Sequence, residues 1–419
     1  MTSTKSPVDA RRKLLPGGGG RILLFAILAS GLTGPGQTIG VSVFIDHFID
    51  DLGISRSQVS GAYLVGTLAA SLFLPSVGRF IDRYGVRRSQ AIIGLVFALV
   101  LVNMSLVTGL VTLAVGFIGI RLLGQGALSL VSTVTVSLRF DKDRGTALGV
   151  FSTCSAALLA VAPILLGVAI STWGWRSAWL AAAVTIVVTV IPLAWFGLAS
   201  MPRGTTSGQS VDRAPHELID SSSPAATRSE AVRTRGFWIL VAISGSTSML
   251  VTALNFHQID LLTTAGLSTT AAAALFLPQV VGSSIAGFGL GVLVDRMDGP
   301  WLPALSAALL VIAHLLAAVV APGFTVFAYA ILLGAAGGAS RTITSALLAK
   351  WFGTREIGSI QGTLTTTNVG LSAIGPVTLA VLESITGSYA TSVLILSLIP
   401  VGAGLFAFSA PRQPATASS

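Results

Sequence analysis

Apolar runs of membrane-spanning length alternate with short polar loops along most of this chain. A helix needs about 20 apolar residues to cross the hydrocarbon core of a bilayer, because each residue advances it by about 1.5 Å. Runs of that length predict twelve transmembrane helices, numbered here as spans 1 to 12, at 22–45, 57–78, 89–108, 111–138, 145–170, 177–200, 237–260, 270–293, 302–320, 323–349, 357–383 and 390–410. The pattern therefore predicts an all-α integral membrane protein.

The twelve predicted spans fall into two groups of six. The break between the groups is rich in Ser, Thr, Pro and Arg and has no apolar period, which is typical of a flexible linker. The chain is therefore predicted to comprise a cytoplasmic tail, a six-helix bundle, a cytoplasmic linker, a second six-helix bundle and a second cytoplasmic tail, at 1–21, 22–200, 201–236, 237–410 and 411–419.

The two halves share landmarks at a constant offset of 213 residues. The sequence GRFIDRYG at 78–85 corresponds to GVLVDRMD at 291–298. Further pairs with the same offset are Gly145 and Gly358, Gly149 and Gly362, Pro163 and Pro376, and Gly174 and Gly387. This constant spacing indicates an internal duplication, which is a common feature of membrane transporters.

Composition supports a membrane protein and excludes several kinds of site. The chain is 53% hydrophobic and only 10% charged, whereas a soluble domain carries about a quarter charged residues. Its single cysteine, Cys154, is interpreted as a small packing residue and excludes both a disulfide framework and a thiolate metal cluster. We expect neither a metal site nor a cofactor.

The basic residues predict an orientation rather than a nucleic-acid surface. The net charge is +9, but the Lys and Arg residues lie in short loops and not along one face. Placing both termini in the cytoplasm puts all but four of the 25 on the inner side, the exceptions being Arg56 and Arg176 outside and Arg121 and Arg341 within spans. We therefore predict a multi-pass protein of the plasma (inner) membrane. A cleaved signal peptide is disfavoured, because the first apolar run continues past Gly40.

Two motifs resemble signatures of the major facilitator superfamily. They are GRFIDRYGVRR between spans 2 and 3, with its weaker copy between spans 8 and 9, and RLLGQG at 121–126 in span 4. The resemblance covers essentially the whole chain outside the tails and the linker. It implies the major facilitator fold of two six-helix halves and transport by alternating access. It also implies a role in switching between states for Gly78, Asp82, Arg83, Arg87, Arg88, Asp295 and Arg296.

Three further segments resemble the monocarboxylate transporter and oxalate–formate antiporter branch of that superfamily. They are GPGQTIGVSVFIDHFIDDLGISRSQVS, RFDKDRGTALG and GPVTLAVLESITGSY. Members of this branch exchange or co-transport small carboxylates. The chain departs from the branch in span 8, which lacks the Arg often found there, and in span 11, where Asn368 stands at the place of a Lys in some relatives.

Arg121 and Arg341 are the main candidates for substrate contact. Each lies near the middle of its span, where a charge is costly unless it faces a wet cavity or a partner. All 16 Asp and Glu residues lie in loops, tails or span ends, so the cavity should have a positive potential that favours small anions. Guanidinium groups also match the geometry of carboxylates. For Arg121, a structural role with bonds to a neighbouring helix is an equal alternative.

Other polar residues are predicted at cavity depth or at a gate. Those predicted to line the cavity are Gln37, Asn255, His257, Gln279 and Asn368, with bonding between helices as the alternative. Pro35 is expected to bend span 1 and to direct Gln37 into the cavity. Asp46 and Asp260, at the outer ends of spans 1 and 7, are candidates for an outer gate or for proton sensing together with nearby histidines. Solvated charge at a loop entry is the alternative for both.

These observations predict a secondary active transporter of a mono- or dicarboxylate, driven by a co-transported proton or a counter-anion. The expected partners are the substrate and the lipid bilayer, and a monomer is expected. The chain lacks a P-loop, which argues against ATP-driven transport, and no enzyme chemistry is evident. One alternative is an exporter of neutral or amphipathic compounds, with both arginines structural. Another is a receptor without transport, which the short linker disfavours.

Overall fold

The computed structural model describes residues 19–140, 144–198, 226–294, 299–353 and 356–409. Every regular element within these ranges is helical, which confirms the predicted all-α fold class. The chain divides into two compact units, each with most of its residue contacts within itself. Unit 1 comprises Met1–Ile54 and Val65–Ala214, and unit 2 comprises Ser55–Leu64 and Pro215–Ser419.

Predicted spans 1 to 6 correspond to eight α-helices. These are α1 (Gly19–Gly31), α2 (Thr38–Val41), α3 (Ile45–Leu52), α4 (Arg56–Ser105), α5 (Leu110–Ile120), α6 (Ser129–Arg139), α7 (Arg144–Trp173) and α8 (Trp175–Pro192). A π-helical segment, Arg121–Leu128, joins α5 to α6, and a second one, Leu193–Gly197, extends α8. The first turns of α4 belong to unit 2 and the remainder of α4 to unit 1.

Unit 2 also contains α9 (Arg228–Arg233), which lies in the predicted linker, and the helices that correspond to predicted spans 7 to 12. The latter are α10 (Arg235–Thr264), α11 (Thr269–Ala274), α12 (Phe276–Val294), α13 (Trp301–Ala318), α14 (Phe324–Phe352), α15 (Ile357–Thr386), α16 (Tyr389–Leu396) and α17 (Leu398–Ala407). The short helices α11 and α16 form the first parts of spans 8 and 12. The number of helices therefore exceeds the number of predicted spans.

Each predicted span has a helical counterpart. Ten helices within the described ranges are long and apolar enough to cross a membrane. One of them, α4, contains both span 2 and span 3, and span 1 is divided among shorter helices. Helix α4 is interrupted at Gly85, where φ is 76° and ψ is 158°, a conformation that favours glycine. This glycine lies within GRFIDRYGVRR, the motif that was predicted to separate the two spans.

The first span is bent, as the sequence predicted. Helix α1 ends at Gly31, and a 3₁₀ turn follows at Gly34–Gly36, with Pro35 in its centre. Proline has no N–H to donate, so it interrupts the hydrogen-bond ladder. The chain resumes helical structure in α2, after Gln37 in an extended conformation. The break leaves backbone carbonyls available to other partners in unit 1.

The predicted linker, 201–236, is described only from residue 226 onward. This last part is not loop: it contains α9, which begins after the capping residue Thr227. The N–H of Arg228 donates to Oε2 of Glu356 over 2.8 Å, and Ala231 is fully buried against the core of unit 2. The final residues of the linker therefore pack on unit 2 and lead directly into α10.

Helices α12 and α14 make an unusually close contact through glycines. A Cβ atom on Gly334 would lie 1.8 Å from the carbonyl oxygen of Gln279, and one on Gly338 would lie 2.2 Å from that of Ser283. Small residues allow such close approach where lipid supplies no hydrophobic drive for association. The contact places Arg341, which lies one turn beyond Gly338, beside α12.

Candidate functional site

Unit 2 contains a polar pocket of about 460 Å³ lined by α10, α14 and α15. A volume of this size is typical of a small-molecule site. Each of the three helices contributes one face, since its lining residues recur at intervals of three and four positions. On α14, for example, the lining residues are Gly337, Ser340, Arg341, Thr344 and Ser345. We call this cavity the unit 2 pocket.

Arg341 is the only charged side chain among the residues described as lining this pocket. Its Nη2 donates to Oγ of Ser283 on α12 over 2.6 Å, and the side chain is otherwise exposed. A guanidinium carries five N–H donors, so this one bond leaves most of its donors available. The arrangement can therefore offer two parallel donors to a carboxylate.

Hydroxyl groups form most of the remaining wall. Nine of the sixteen lining residues are Ser or Thr: Ser244, Thr247, Ser248 and Thr252 on α10, Ser340, Thr344 and Ser345 on α14, and Thr365 and Ser372 on α15. The amides of Gln361 and Asn368 add further polar groups. Among the described lining residues there is neither an acidic nor an aromatic side chain.

Asn368 lies in the pocket with Arg341, so two of the seven predicted substrate-binding residues line one cavity. The Oδ1 atom of Asn368 accepts a hydrogen bond from Oγ of Ser244 over 3.1 Å, which joins α15 to α10. The side-chain amide of Asn368 is thus held in place on one side of the pocket.

Three other predicted substrate ligands lie in unit 2 outside this pocket. His257 is fully buried, and its Nε2 lies 2.9 Å from the carbonyl oxygen of Pro376. Gln279 is also buried, and its Nε2 donates to Oε1 of Gln258 over 2.6 Å. Asn255 is partly buried, and its Oδ1 has no hydrogen-bond partner among the described residues. Their predicted contact with substrate stays a prediction.

Arg121 and Gln37 lie in unit 1, where both are engaged by neighbouring groups. The side chain of Arg121 is only 5% exposed. Its Nε donates to Oγ1 of Thr67 over 3.1 Å, and its Nη1 lies 3.4 Å from the carbonyl oxygen of Gly36 and from Oγ1 of Thr38. Arg121 therefore joins the π-helical segment to α4 and to the break in span 1. Its role as a substrate ligand stays a prediction.

Gln37 also takes part in this local structure. Its Nε2 donates to Oγ1 of Thr33 over 2.9 Å, so the side chain turns back along its own span. This bond accounts for one of its amide hydrogens, while the side chain is partly exposed. A contact between Gln37 and substrate stays a prediction as well.

Asp260, a predicted gate residue, is the centre of a polar cluster in unit 2. Its Oδ1 lies 3.2 Å from Nη2 of Arg56, and the two side chains are 24% and 18% exposed, respectively. Its Oδ2 accepts a hydrogen bond from the hydroxyl of Tyr389 at the start of α16. The cluster therefore connects the first turn of α4 to α10 and α16.

The predicted switching residues of the loop motif lie in the middle of α4. Asp82, Arg83 and Arg88 are exposed, and Gly78 is partly exposed. The guanidinium of Arg83 lies 5.5 Å from the ring centre of Tyr84. Asp46, the other predicted gate residue, is in the first turn of α3.

Arg87, a further predicted switching residue on α4, lies beside an aromatic ring. The guanidinium of Arg87 lies 4.8 Å from the ring centre of Trp195, within cation–π range. The predicted residues of the second motif, Asp295 and Arg296, lie outside the described residues.

Sequence reasoning missed most of the residues that form the pocket wall and the cluster. The Ser and Thr residues of α10 lie at positions 244, 247, 248 and 252, which is the spacing of one helix face. That spacing was a usable signal. Arg56 and Tyr389 gave no such signal, because their contact with Asp260 depends on packing between segments far apart in sequence.

A second, apolar groove of about 350 Å³ lies in unit 1. Leu28, Leu158, Leu165 and Ile186 are typical of its lining, and Thr185 is one of its few polar residues. Among the described residues, no group of three or more His, Cys, Asp or Glu side chains is placed to hold a metal ion.

The fold corresponds to that of known transporters. Two crystal structures of a bacterial homologue of the human lysosomal transporter Spinster, inward-facing and either occupied or unoccupied, match with TM-scores of 0.71 and 0.74, each at 16% identity. They cover 93% and 94% of this chain, and the matches span 96% and 97% of theirs. A variant of the nucleoside transporter NupG matches with a TM-score of 0.73 at 13% identity, over 93% of this chain and 99% of its own.

The helical spans and these structural matches define a multi-pass membrane protein with the fold of known transporters. The sequence profile of the Major Facilitator Superfamily matches residues 23–311, and the chain belongs to this family. A curated relative, the MFS antiporter QDR3 of Candida albicans, is 29% identical over 160 residues, which are 37% of this chain. The match spans 22% of that relative, about a fifth of its length.

Proposed function

We propose that the protein is a secondary active transporter of small organic anions, and that Arg341 binds the carboxylate of its substrate in the unit 2 pocket. One observation carries this proposal: an exposed guanidinium lines a polar pocket whose described lining residues include no acidic side chain. A lone cation in such a cavity attracts anions and repels cations.

The energetics favour a carboxylate as the group that Arg341 binds. Hydrogen bonds between a guanidinium and a carboxylate are charge-assisted and are often bidentate. The single described hydrogen bond of Arg341, to Ser283, orients the guanidinium without neutralising its charge. A mono- or dicarboxylate is therefore the substrate class that we propose.

Arg121 has a different role in this proposal. Its side chain is buried and donates to a hydroxyl and towards a backbone carbonyl, which are the contacts of a structural arginine. We assign to it the stabilisation of the bent first span. In this proposal the substrate carboxylate therefore contacts Arg341 alone, and not both Arg121 and Arg341.

We propose a gating role for Asp260. The ion pair with Arg56 and the hydrogen bond from Tyr389 hold the segment Ser55–Leu64 on the rest of unit 2. Breaking both contacts would loosen the first turn of α4, which carries Arg56. With both termini in the cytoplasm of a plasma-membrane protein, this cluster would lie on the outer side.

The proposal is tested by uptake of radiolabelled carboxylates into proteoliposomes. We expect Arg341→Ala to abolish uptake and Arg341→Lys to retain part of it, because Lys keeps the charge but not the planar pair of donors. The matched control is Lys350→Ala, which removes a cation from the same helix outside the pocket. Full uptake by a folded Arg341→Ala variant would refute the anion site.

The driving force is tested with the same vesicles. A proton gradient imposed across vesicles without internal anion should drive uptake if a proton is co-transported. Preloading with unlabelled carboxylate at equal pH should accelerate uptake if the protein exchanges anions. A response to neither condition would contradict the proposed secondary active mechanism.

The second candidate function is export of neutral or amphipathic compounds. The apolar groove of unit 1 is the observation that favours it, because residues such as Leu158 and Leu165 offer no polar contact to an anion. Efflux of a panel of amphipathic compounds, together with no carboxylate transport, would support this alternative.

A further inference from the structure

The unit 2 pocket combines one cation with a wall of hydroxyl groups, and this combination is more specific than an anion site alone. From it we infer that the preferred substrates are open-chain polyhydroxy monocarboxylates of about five or six carbons, that is, sugar acids. This inference rests on the proposed transport function and specifies the substrate of the same site.

At least two hydroxyls of the wall use their own hydrogen within their helix and can act only as acceptors towards the pocket. Oγ1 of Thr247 donates its hydrogen to the carbonyl oxygen of Ile243 over 2.8 Å, and Oγ of Ser372 donates to that of Val369 over 2.8 Å. A hydroxyl whose only hydrogen is used by its own helix still has lone pairs to offer. Such a surface is complementary to a ligand that donates several hydrogen bonds.

Thr344 provides an independent observation. Its side chain is 5% exposed, lines the pocket, and has no hydrogen-bond partner for Oγ1 among the described residues. A buried hydroxyl without a partner is destabilising, because it has lost its hydrogen bonds to water and gained none in the protein. Thr344 lies on the same helix face as Arg341, so a ligand hydroxyl beside a bound carboxylate could satisfy it.

The other lining residues exclude competing ligand classes. The described wall has no aromatic side chain on which a base or an aromatic acid could stack, and no acidic side chain that would bind an amine. Its single guanidinium matches one carboxylate rather than two. The volume of about 460 Å³ exceeds what a two- or three-carbon acid needs, and the extra space is bordered mainly by hydroxyls and amides.

The test compares three six-carbon probes with the full-length protein in detergent and in proteoliposomes. Gluconate carries both the carboxylate and the hydroxyls, hexanoate carries only the carboxylate, and sorbitol carries only hydroxyls. We expect gluconate to raise the melting temperature and to be transported, and we expect hexanoate and sorbitol to act at least about 10-fold more weakly, the effect of one or two lost hydrogen bonds.

The possible outcomes separate this inference from the proposed function. If hexanoate binds as well as gluconate, the hydroxyl inference is overturned and the anion site is retained. If sorbitol binds as well as gluconate, the carboxylate contact is overturned and the anion proposal fails with it. If none of the three probes binds or is transported, the sugar-acid inference is overturned.

A pair of adjacent residues supplies a matched control. Thr365 lines the pocket, whereas Thr366, its neighbour on α15, does not. Replacing either with Val removes one hydroxyl at almost constant volume. We expect Thr365→Val to weaken gluconate binding by about 3- to 10-fold and to weaken hexanoate binding less, since hexanoate has no hydroxyl groups that could contact Thr365. Equal effects of Thr365→Val and Thr366→Val would overturn the inference.

Discussion

Arg56 and Asp260 form an ion pair within unit 2, with 3.2 Å between Nη2 and Oδ1. Arg56 begins α4, and Asp260 lies in the last turns of α10, so the pair joins segments that are distant in sequence. The hydroxyl of Tyr389 donates to the other carboxylate oxygen. Asp260 therefore has both a charged and a neutral partner, and the pair is suited to hold or release the start of α4.

We expect the pair to contribute a measurable coupling energy. Arg56→Gln and Asp260→Asn are combined in a double-mutant cycle. The change in the free energy of unfolding of the double variant should differ from the sum of the two single changes by about 0.5–3 kcal/mol. The Asn variant retains an oxygen that can accept from Tyr389, so it isolates the charge. Thermal unfolding monitored by tryptophan fluorescence provides the measurement, and strict additivity would show that the pair contributes nothing.

The same variants test the proposed gate. The chain has one cysteine, Cys154, so a Cys154→Ser background allows a single reporter thiol at Ser57, next to Arg56. We expect Arg56→Gln to increase the rate at which a membrane-impermeant maleimide labels that thiol, because release of the first turn of α4 exposes it. An unchanged labelling rate would argue against a gating role of Asp260.

The two intramembrane arginines should respond to substitution in opposite ways. Arg121→Met removes the donors that Thr67 and the Gly36 carbonyl use, and we expect the free energy of unfolding to fall by about 1–3 kcal/mol. Arg341→Met removes one hydrogen bond of an exposed side chain, so stability should change little while carboxylate uptake is lost. Melting temperature and uptake are measured on both variants.

The reverse result for Arg121 would be informative. A variant that keeps its melting temperature but loses uptake would place Arg121 among the substrate ligands, as the sequence predicted. Arg121→Lys is the control, because it keeps the charge and loses the planar guanidinium that reaches several acceptors at once.

The sequence predicted the spans well because hydrophobic length is a property of local sequence. The repeat landmarks also have a local cause: Gly174 and Gly387, which correspond in the two halves, adopt positive φ angles of 81° and 66° next to helix ends. Glycine favours that conformation, so the same residue type is found where the same turn is needed.

The environment of each arginine could not be predicted in the same way. Arg121 begins a π-helical segment, Arg121–Leu128, and a π-helical turn changes which face later residues present. The hydrophobic periodicity of a regular α-helix therefore does not predict which neighbours the side chain of Arg121 faces. Arg341 lies in a regular helix, and its neighbours at three- and four-residue spacing, Ser340, Thr344 and Ser345, already indicated a polar face.

Arg176 is expected to stabilise unit 1 through the end of α4. Its Nη1 donates to the carbonyl oxygens of Ser105 and Val107 over 3.0 and 2.9 Å, and its guanidinium lies 4.1 Å from the ring centre of Trp175. Such carbonyls at a helix end otherwise lack a partner. Arg176→Met should therefore lower the free energy of unfolding by about 1–3 kcal/mol, measured by thermal unfolding.

An exposed arginine provides the comparison for this variant. Arg88 lies on α4 with its side chain exposed, so Arg88→Met should leave the melting temperature unchanged. A loss of stability in Arg88→Met as large as that in Arg176→Met would indicate a general effect of removing positive charge, and the proposed helix-end contact would then be wrong.

Gly338 and Gly337 are adjacent, but they are expected to differ sharply in their tolerance of a methyl group. A Cβ on Gly338 would lie 2.2 Å from the carbonyl oxygen of Ser283, a backbone atom that cannot move aside, whereas a Cβ on Gly337 would meet nothing within 4 Å. Gly338→Ala should therefore force α14 away from α12 and lower the free energy of unfolding. Overpacking usually costs ~1–3 kcal/mol, and we expect the decrease to reach or exceed the upper end of that range. It should also displace Arg341 from Ser283 and reduce carboxylate uptake. Gly337→Ala should keep the melting temperature of the wild-type protein, and equal melting temperatures for the two variants would contradict the close packing of α12 and α14.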